Sequence, residues 1–306
     1  MRPFLLVLLA ILASPAAAGA GLNVVATTPD LGALAREVGG DRVEVSVLTK
    51  PTEDPHFVDA KPSFIVKLNR ADALIEGGAD LEVGWLPALL EGARNDALAA
   101  GSPGRVVCSR GVQMLEVPAN LDRSKGDVHA AGNPHFMTDP ENGKVAAHEI
   151  AEGFCTLDAA SCDTFRANLD RFTRRLDEKL TEWKAVLSSH HGAEIVAYHN
   201  TWPYFATRFG LTINLFLEPK PGIPPTPAHL ASVIGRIKSN GVRVIIVEPY
   251  QNRKTAESVA EQTGATVVDV AQYPGGVEGT DGGYVELIDY LVRAIAQALE
   301  AGAARP

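Results

Sequence analysis

Phe165, Leu169, Phe172, Leu176, Leu180, Trp183 and Leu187 recur at steps of 4, 3, 4, 4, 3 and 4. That spacing lays one apolar stripe along an α-helix. Between them lie Arg166, Asp170, Arg171, Arg174, Arg175, Asp177, Glu178, Lys179 and Glu182, which put charge on the remaining faces. The pattern predicts a helix from near Ala159 to near Ser189, roughly 45 Å long at 1.5 Å per residue. Such a helix overruns a small domain and suits a strut that joins two. No second segment repeats its length and pattern, so it is not half of a coiled coil within this chain.

On both sides of the strut, short β-branched runs alternate with helical patterns. Before it come strands at Leu22 to Thr27 and Val43 to Leu48, with helices near 30–38 and 62–70. After it come strands at Glu194 to Tyr198, Val242 to Val247 and Thr266 to Val270, with helices near 227–239, 254–263 and 284–299. This alternation predicts an α/β fold of two lobes, each with a mainly parallel sheet, and a cleft between them. Ligands of open α/β sheets sit beyond the carboxyl ends of the strands, so residues at strand exits are the first candidates for a site.

The first twenty residues read as an export signal. Arg2 supplies the charged start, Phe4 to Leu12 the short apolar run, and Ser14 to Ala20 the small residues of a cleavage site. The run is short of the roughly 20 residues of a membrane span, and no Cys follows it to carry a lipid. The expected product is a periplasmic, cleaved protein. It divides into a signal at 1–20, a first lobe at 21–158, the linking helix at 159–190 and a second lobe at 191–306.

Loss of Arg2 takes the formal charge from −9 to −10, an unfavourable balance for binding a phosphate backbone, so nucleic acid is excluded as a partner. In an oxidising compartment, Cys155 and Cys162 are expected to close a small disulfide loop. Cys108, at the end of the apolar strand Arg105 to Cys108, reads as a buried thiol.

Three histidines stand in Pro- or aromatic-rich junctions: Asp54-Pro55-His56-Phe57, Asn133-Pro134-His135-Phe136 and Tyr198-His199-Asn200-Thr201-Trp202. His199 leaves one strand directly, His56 follows another after a Pro51 turn, and Glu248 closes the strand ending at Val247. Neutral imidazoles bind zinc and other late divalent metals well, and three nitrogens suffice for a tight site. The spacings are not those of a local metal motif, since the chain has no His-Glu-x-x-His and no Cys-x-x-Cys. His129, in the polar stretch from Lys125, is a further candidate for transient metal contact. His148 and His229 read as surface or packing residues, and His190 and His191 as a solvated helix end.

The segments Thr52 to His56, Gly132 to Pro140 and Tyr198 to Phe205, together with Glu218 to Pro227, resemble the metal-binding stretches of the zinc and manganese solute-binding proteins of ABC importers. The likeness extends over nearly the whole mature chain, including the long helix. It implies two α/β lobes bridged by a rigid helix, with His56 and His135 as ligands from the first lobe and His199 as the first ligand from the second. Manganese-selecting relatives tend to carry Glu where His199 stands, which favours Zn2+ over Mn2+ or iron, in keeping with the preference of nitrogen for zinc. Many relatives add an Asp from the loop after the last strand. Here that loop reads Val270 to Gly276 without one. The fourth position is open among water, Glu248, Asp269 and Asp281, with Glu248 preferred because it ends a strand facing the cleft. Many zinc-uptake relatives also carry a long His-rich loop, which here is reduced to Asp127 and His129.

The resemblance implies a non-enzymatic monomer that hands its metal to a permease driven by a cytoplasmic ATPase. The competing expectation is a secreted zinc hydrolase, with three histidines on the metal and Glu248 as general base.

Overall fold

A computed structural model describes residues 21–120 and 129–303 of the chain. The export signal assigned to residues 1–20 lies outside the described residues. The first sheet is built from β1 (Leu22–Ala26), β2 (Val43–Val47), β3 (Ala73–Glu76) and β4 (Arg105–Val107), all parallel and ordered β2-β1-β3-β4. The second repeats the plan with β5 (Glu194–Ala197), β6 (Thr212–Phe216), β7 (Val244–Val247) and β8 (Thr266–Asp269), ordered β6-β5-β7-β8. In each sheet the first strand lies inside and the chain reverses its direction of winding after the second. Each sheet therefore has a crevice at the carboxyl ends of its inner strands.

The helices are α1 (Pro29–Gly39), α2 (Pro62–Arg70), α3 (Leu86–Ala93), α4 (Pro140–Leu157), α5 (Cys162–Leu187), α6 (Pro203–Phe209), α7 (Pro227–Asn240), α8 (Arg253–Thr263) and α9 (Tyr284–Ala303). Five of them open on proline, whose fixed φ and missing N–H suit the first helical position. Thr226 caps α7 by accepting the His229 N–H, and Gly241 ends it in the left-handed conformation. Among the described residues, no helix is long and apolar enough to cross a membrane.

The strut is α5, extended by single 3-10 turns at Ala159–Ser161 and Ser188–His190. Its buried stripe runs through Phe165, Asn168, Phe172, Leu176, Leu180, Trp183 and Leu187. Asn168 joins that stripe beside Leu169, which is half-buried against the same core, and its amide donates to Val38 O at the end of α1 (2.9 Å). At the other end, Trp183 Nε1 donates to Asp289 of α9 (3.0 Å). One apolar core passes from Val24 and Leu34, through Phe172 and Leu180, to Ile246 and Ile295, so the two lobes share an interior along the strut. Cys155 and Cys162 form the expected disulfide where α4 turns into α5, and Cys108 is fully buried. His190 is not the solvated helix end that its position suggests, because its Nε2 is buried, 4.0 Å from Glu300 of α9.

Candidate metal centre

The three junction histidines meet. His56 stands in the loop after β2, His135 between β4 and α4, and His199 two residues beyond β5. One ring nitrogen from each lies within 4.8 Å of the other two. The Nε2 atoms of His56 and His135 are 3.2 Å apart, close to the ~3.3 Å between two nitrogens that each lie ~2 Å from a tetrahedral ion. The rings pack edge-on, with centroids 5.0 Å apart for His56 and His135 and 5.5 Å for His135 and His199.

Each ring is aimed by its own junction. Pro55 O accepts the Trp85 indole N–H (2.9 Å), and His56 N donates to Asp54 Oδ1 (3.0 Å). Asn133 Oδ1 accepts the His135 N–H (3.0 Å). His199 Nδ1 lies 2.8 Å from Glu218 Oε2. Donation from Nδ1 to that carboxylate leaves the Nε2 lone pair directed at the centre and makes the imidazole a stronger donor.

Burial, then the repulsion of His199 and His129, holds His56 well below the ordinary histidine value. His135 is lowered in the same way, by burial and then by His56, His199 and His129. For His199 burial also pulls downward, but the hydrogen bond and charge of Glu218, with Glu248 and Asp54, outweigh it and the net shift is upward. Two of the three rings are therefore ready to bind a cation without first losing a proton, and the third carries the acid–base control.

Glu248 does not join the group. It is 1% exposed, and its Oε1 accepts the Trp202 indole N–H (2.9 Å). Its Oε2 and the adjacent Thr201 hydroxyl are buried without a well-formed partner. Burial raises its carboxyl to about 7, against the opposing influence of Thr201, His199 and Trp202. Asp269 is drawn to the outer face by Arg253. Asp281 lies beside Gly275 in the seam between α1 and α9. The ring of His129 stacks on His56 with centroids 5.0 Å apart, so this residue is at the rim of the group.

Sequence reasoning missed Glu218 and Gln272. Glu218 lies just beyond β6, whose run Thr212–Phe216 alternates buried and partly exposed residues. Had that strand been read, the strand-exit rule that selected His199 would have selected Glu218 as well. Gln272 approaches the His135 ring and donates to the Tyr250 hydroxyl, and nothing in the local sequence marks it. A cavity of about 180 Å³ opens onto His56 and His199, with Asp54, Phe57, Glu218 and Tyr250 in its wall. A far smaller one, about 20 Å³, lies behind His135. A cation would enter past two carboxylates and meet His56 and His199 first.

The chain is 23% identical over 291 residues to the manganese ABC transporter substrate-binding lipoprotein PsaA of Streptococcus anginosus, covering 93% of this chain and 91% of that protein. It is 23% identical over 251 residues to the iron ABC transporter substrate-binding lipoprotein MtsA of Streptococcus pyogenes serotype M1, covering 80% and 78%. Among solved structures, a crystal structure of ZnuA superposes with a TM-score of 0.78 at 26% identity, over 91% of this chain and 99% of that one. The Mn-bound periplasmic metal binding protein from Candidatus Liberibacter asiaticus shares the fold, with a TM-score of 0.74 at 19% identity over 90% and 98%. The sequence profile of the periplasmic zinc-uptake complex component A matches residues 24–298. With that match spanning nearly every described element of both lobes, the chain belongs to the family of the periplasmic component A of zinc-uptake complexes.

Proposed function

We propose that this protein captures one divalent transition metal ion between its lobes, on His56, His135 and His199, and delivers it to an ABC permease driven by a cytoplasmic ATPase. The observation that carries the reading is the convergence of three imidazole nitrogens within 4.8 Å from three separate segments. Zn2+ is the favoured cargo, because an all-nitrogen set suits zinc better than the harder Mn2+. Water from the 180 Å³ cavity completes the coordination, and Glu248 contributes charge behind His199 rather than a bond to the metal. The protein works as a periplasmic monomer, with lobes at 21–158 and 191–306 about the linking stretch 159–190. A hydrolase reading loses its general base, since Glu248 is held by Trp202 and is not in the cavity wall.

The test is a competitive Zn2+ and Mn2+ titration of the chelator-stripped mature protein beside His56→Ala and His199→Ala. One tightly held Zn2+, far weaker Mn2+, and a loss of at least ~100-fold in zinc affinity in both variants are expected, as removal of one of three protein ligands implies. Binding unaffected by either change would sink the reading.

A further inference from the structure

By sequence His135 belongs with the first lobe, yet the segment around it is bonded to the second. Tyr204 of α6 donates its hydroxyl to Asn133 O (2.7 Å), and the Asn133 amide donates to Asn200 O (2.8 Å). Arg208, also on α6, grips Asp139 through two parallel bonds, Nε to Oδ1 (2.7 Å) and one terminal nitrogen to Oδ2 (2.9 Å). Asp139 is at the same time the N-cap of α4, accepting the Glu141 N–H (2.9 Å). Tyr284, at the start of α9, donates to Met137 O (2.8 Å) and Asp139 O (3.2 Å). Its ring reaches them because residue 143 is glycine, since a Cβ there would stand 2.5 Å from Tyr284 Cε1. Bonds from the second lobe thus hold residues 133–139 on both sides of His135, beside two from the first at Asn133, its N–H to Leu115 O (2.8 Å) and its amide to Glu116 Oε2 (2.9 Å). The His56 loop is held instead by Trp85 of the first lobe, and it meets the second lobe where Gly275 and Gly276 pack against Pro51.

We infer that Arg208 and Tyr284 are positioning residues for His135, fixing it to the second lobe so that relative motion of the lobes parts His56 from an intact His135–His199 pair. The inference rests on the metal reading above. A bidentate guanidinium–carboxylate pair fixes direction as well as distance. Outer partners that orient a metal-ligating histidine typically carry 10–100-fold in affinity. In this arrangement the moving ligand is His56, which lines the entry cavity, and the pair left behind is a two-nitrogen site of much weaker hold.

The experiment compares wild-type mature protein with Arg208→Leu, Arg208→Lys and Tyr284→Phe. It reads the Zn2+ dissociation rate into excess chelator, the visible spectrum of the Co2+-loaded protein, and the melting temperature of the metal-free form. Arg208→Leu is expected to speed zinc loss by ~10-fold or more and to shift the Co2+ bands, with Arg208→Lys recovering part of both. Tyr284→Phe, which removes only a hydroxyl, is expected to move the same two readouts by a smaller factor with little change in metal-free melting. Lowered melting in the variants with unchanged dissociation rate and Co2+ spectrum would make the contacts merely structural and overturn the inference, while stoichiometric zinc in the wild type left the metal reading standing. Absence of stoichiometric zinc from the wild type would remove both.

Discussion

At the scale of single residues, the three histidines of the proposed metal site differ in their readiness to carry a proton. His56 and His135 are kept neutral by burial and mutual repulsion, whereas Glu218 holds His199 above its ordinary value. A raised value means that the metal-free site takes up a proton on His199 first, and that proton has to leave before the ring can bind metal. Zinc affinity is therefore expected to be full above the raised value and to decline as pH falls through it. In Glu218→Gln the main upward influence is gone, so the decline should begin at lower pH. Affinity on the plateau should drop ~10–100-fold because the ring loses its orienting carboxylate. Chelator competition at a series of pH values from 5 to 8 checks both. A decline that begins at the same pH in wild type and variant would rule out Glu218 as its cause. His56, His135 and His199 were all legible in the sequence because each stands at a junction of unusual composition. Glu218 was legible only as part of a Pro-rich stretch, and Gln272 not at all, since an amide in a loop carries no signature until its neighbours are known.

At the scale of elements, α5 was the most legible feature and remains the one on which most else depends. Its sequence period survives intact because a helix that packs against both lobes must bury the same stripe throughout its length. Trp183 is fully buried and also bonded to Asp289, so Trp183→Ala is expected to cost about 3–5 kcal/mol of folding stability. Chemical denaturation of the metal-free protein would measure it, and a loss below ~1 kcal/mol would show that the strut tolerates a large cavity there. The disulfide joining the ends of α4 and α5 closes a span of 7 residues, and Cys155→Ser with Cys162→Ser is expected to cost ~2–3 kcal/mol. Two strands, β3 (Ala73–Glu76) and β6 (Thr212–Phe216), escaped the sequence reading. β3 has only four residues, all buried, and so shows no alternation. β6 carries Asn214 in its middle, which weakens the β signal.

At the scale of the whole molecule, the continuous core through α5 decides how the lobes can move. A hinge that opened wide would expose Phe172, Leu176, Leu180 and their partners, which are fully or nearly fully buried. Metal release is therefore expected to proceed by small displacement and loop movement, with the radius of gyration in solution scattering unchanged between metal-free and zinc-loaded protein. A large expansion on chelation would contradict this. The shared interior also predicts one cooperative transition in calorimetry of the metal-free protein rather than one per lobe. Zinc should raise its midpoint with concentration, as any ligand of the native state does.

Local patterns alone carry the strut, the parallel α/β character of both halves, the disulfide and the junctions in which the three histidines stand. Each of these is written in local periodicity, in spacing or in the company a residue keeps. The three-dimensional packing alone shows that Glu248 is bound to Trp202 and stands outside the histidine group, that Glu218 pairs with His199, and that the segment bearing His135 is bonded to Arg208 and Tyr284 of the other lobe. Those outcomes depend on side chains separated by 19 to 147 positions along the chain. Their meeting is fixed by how two sheets pack along one helix, which no local pattern encodes.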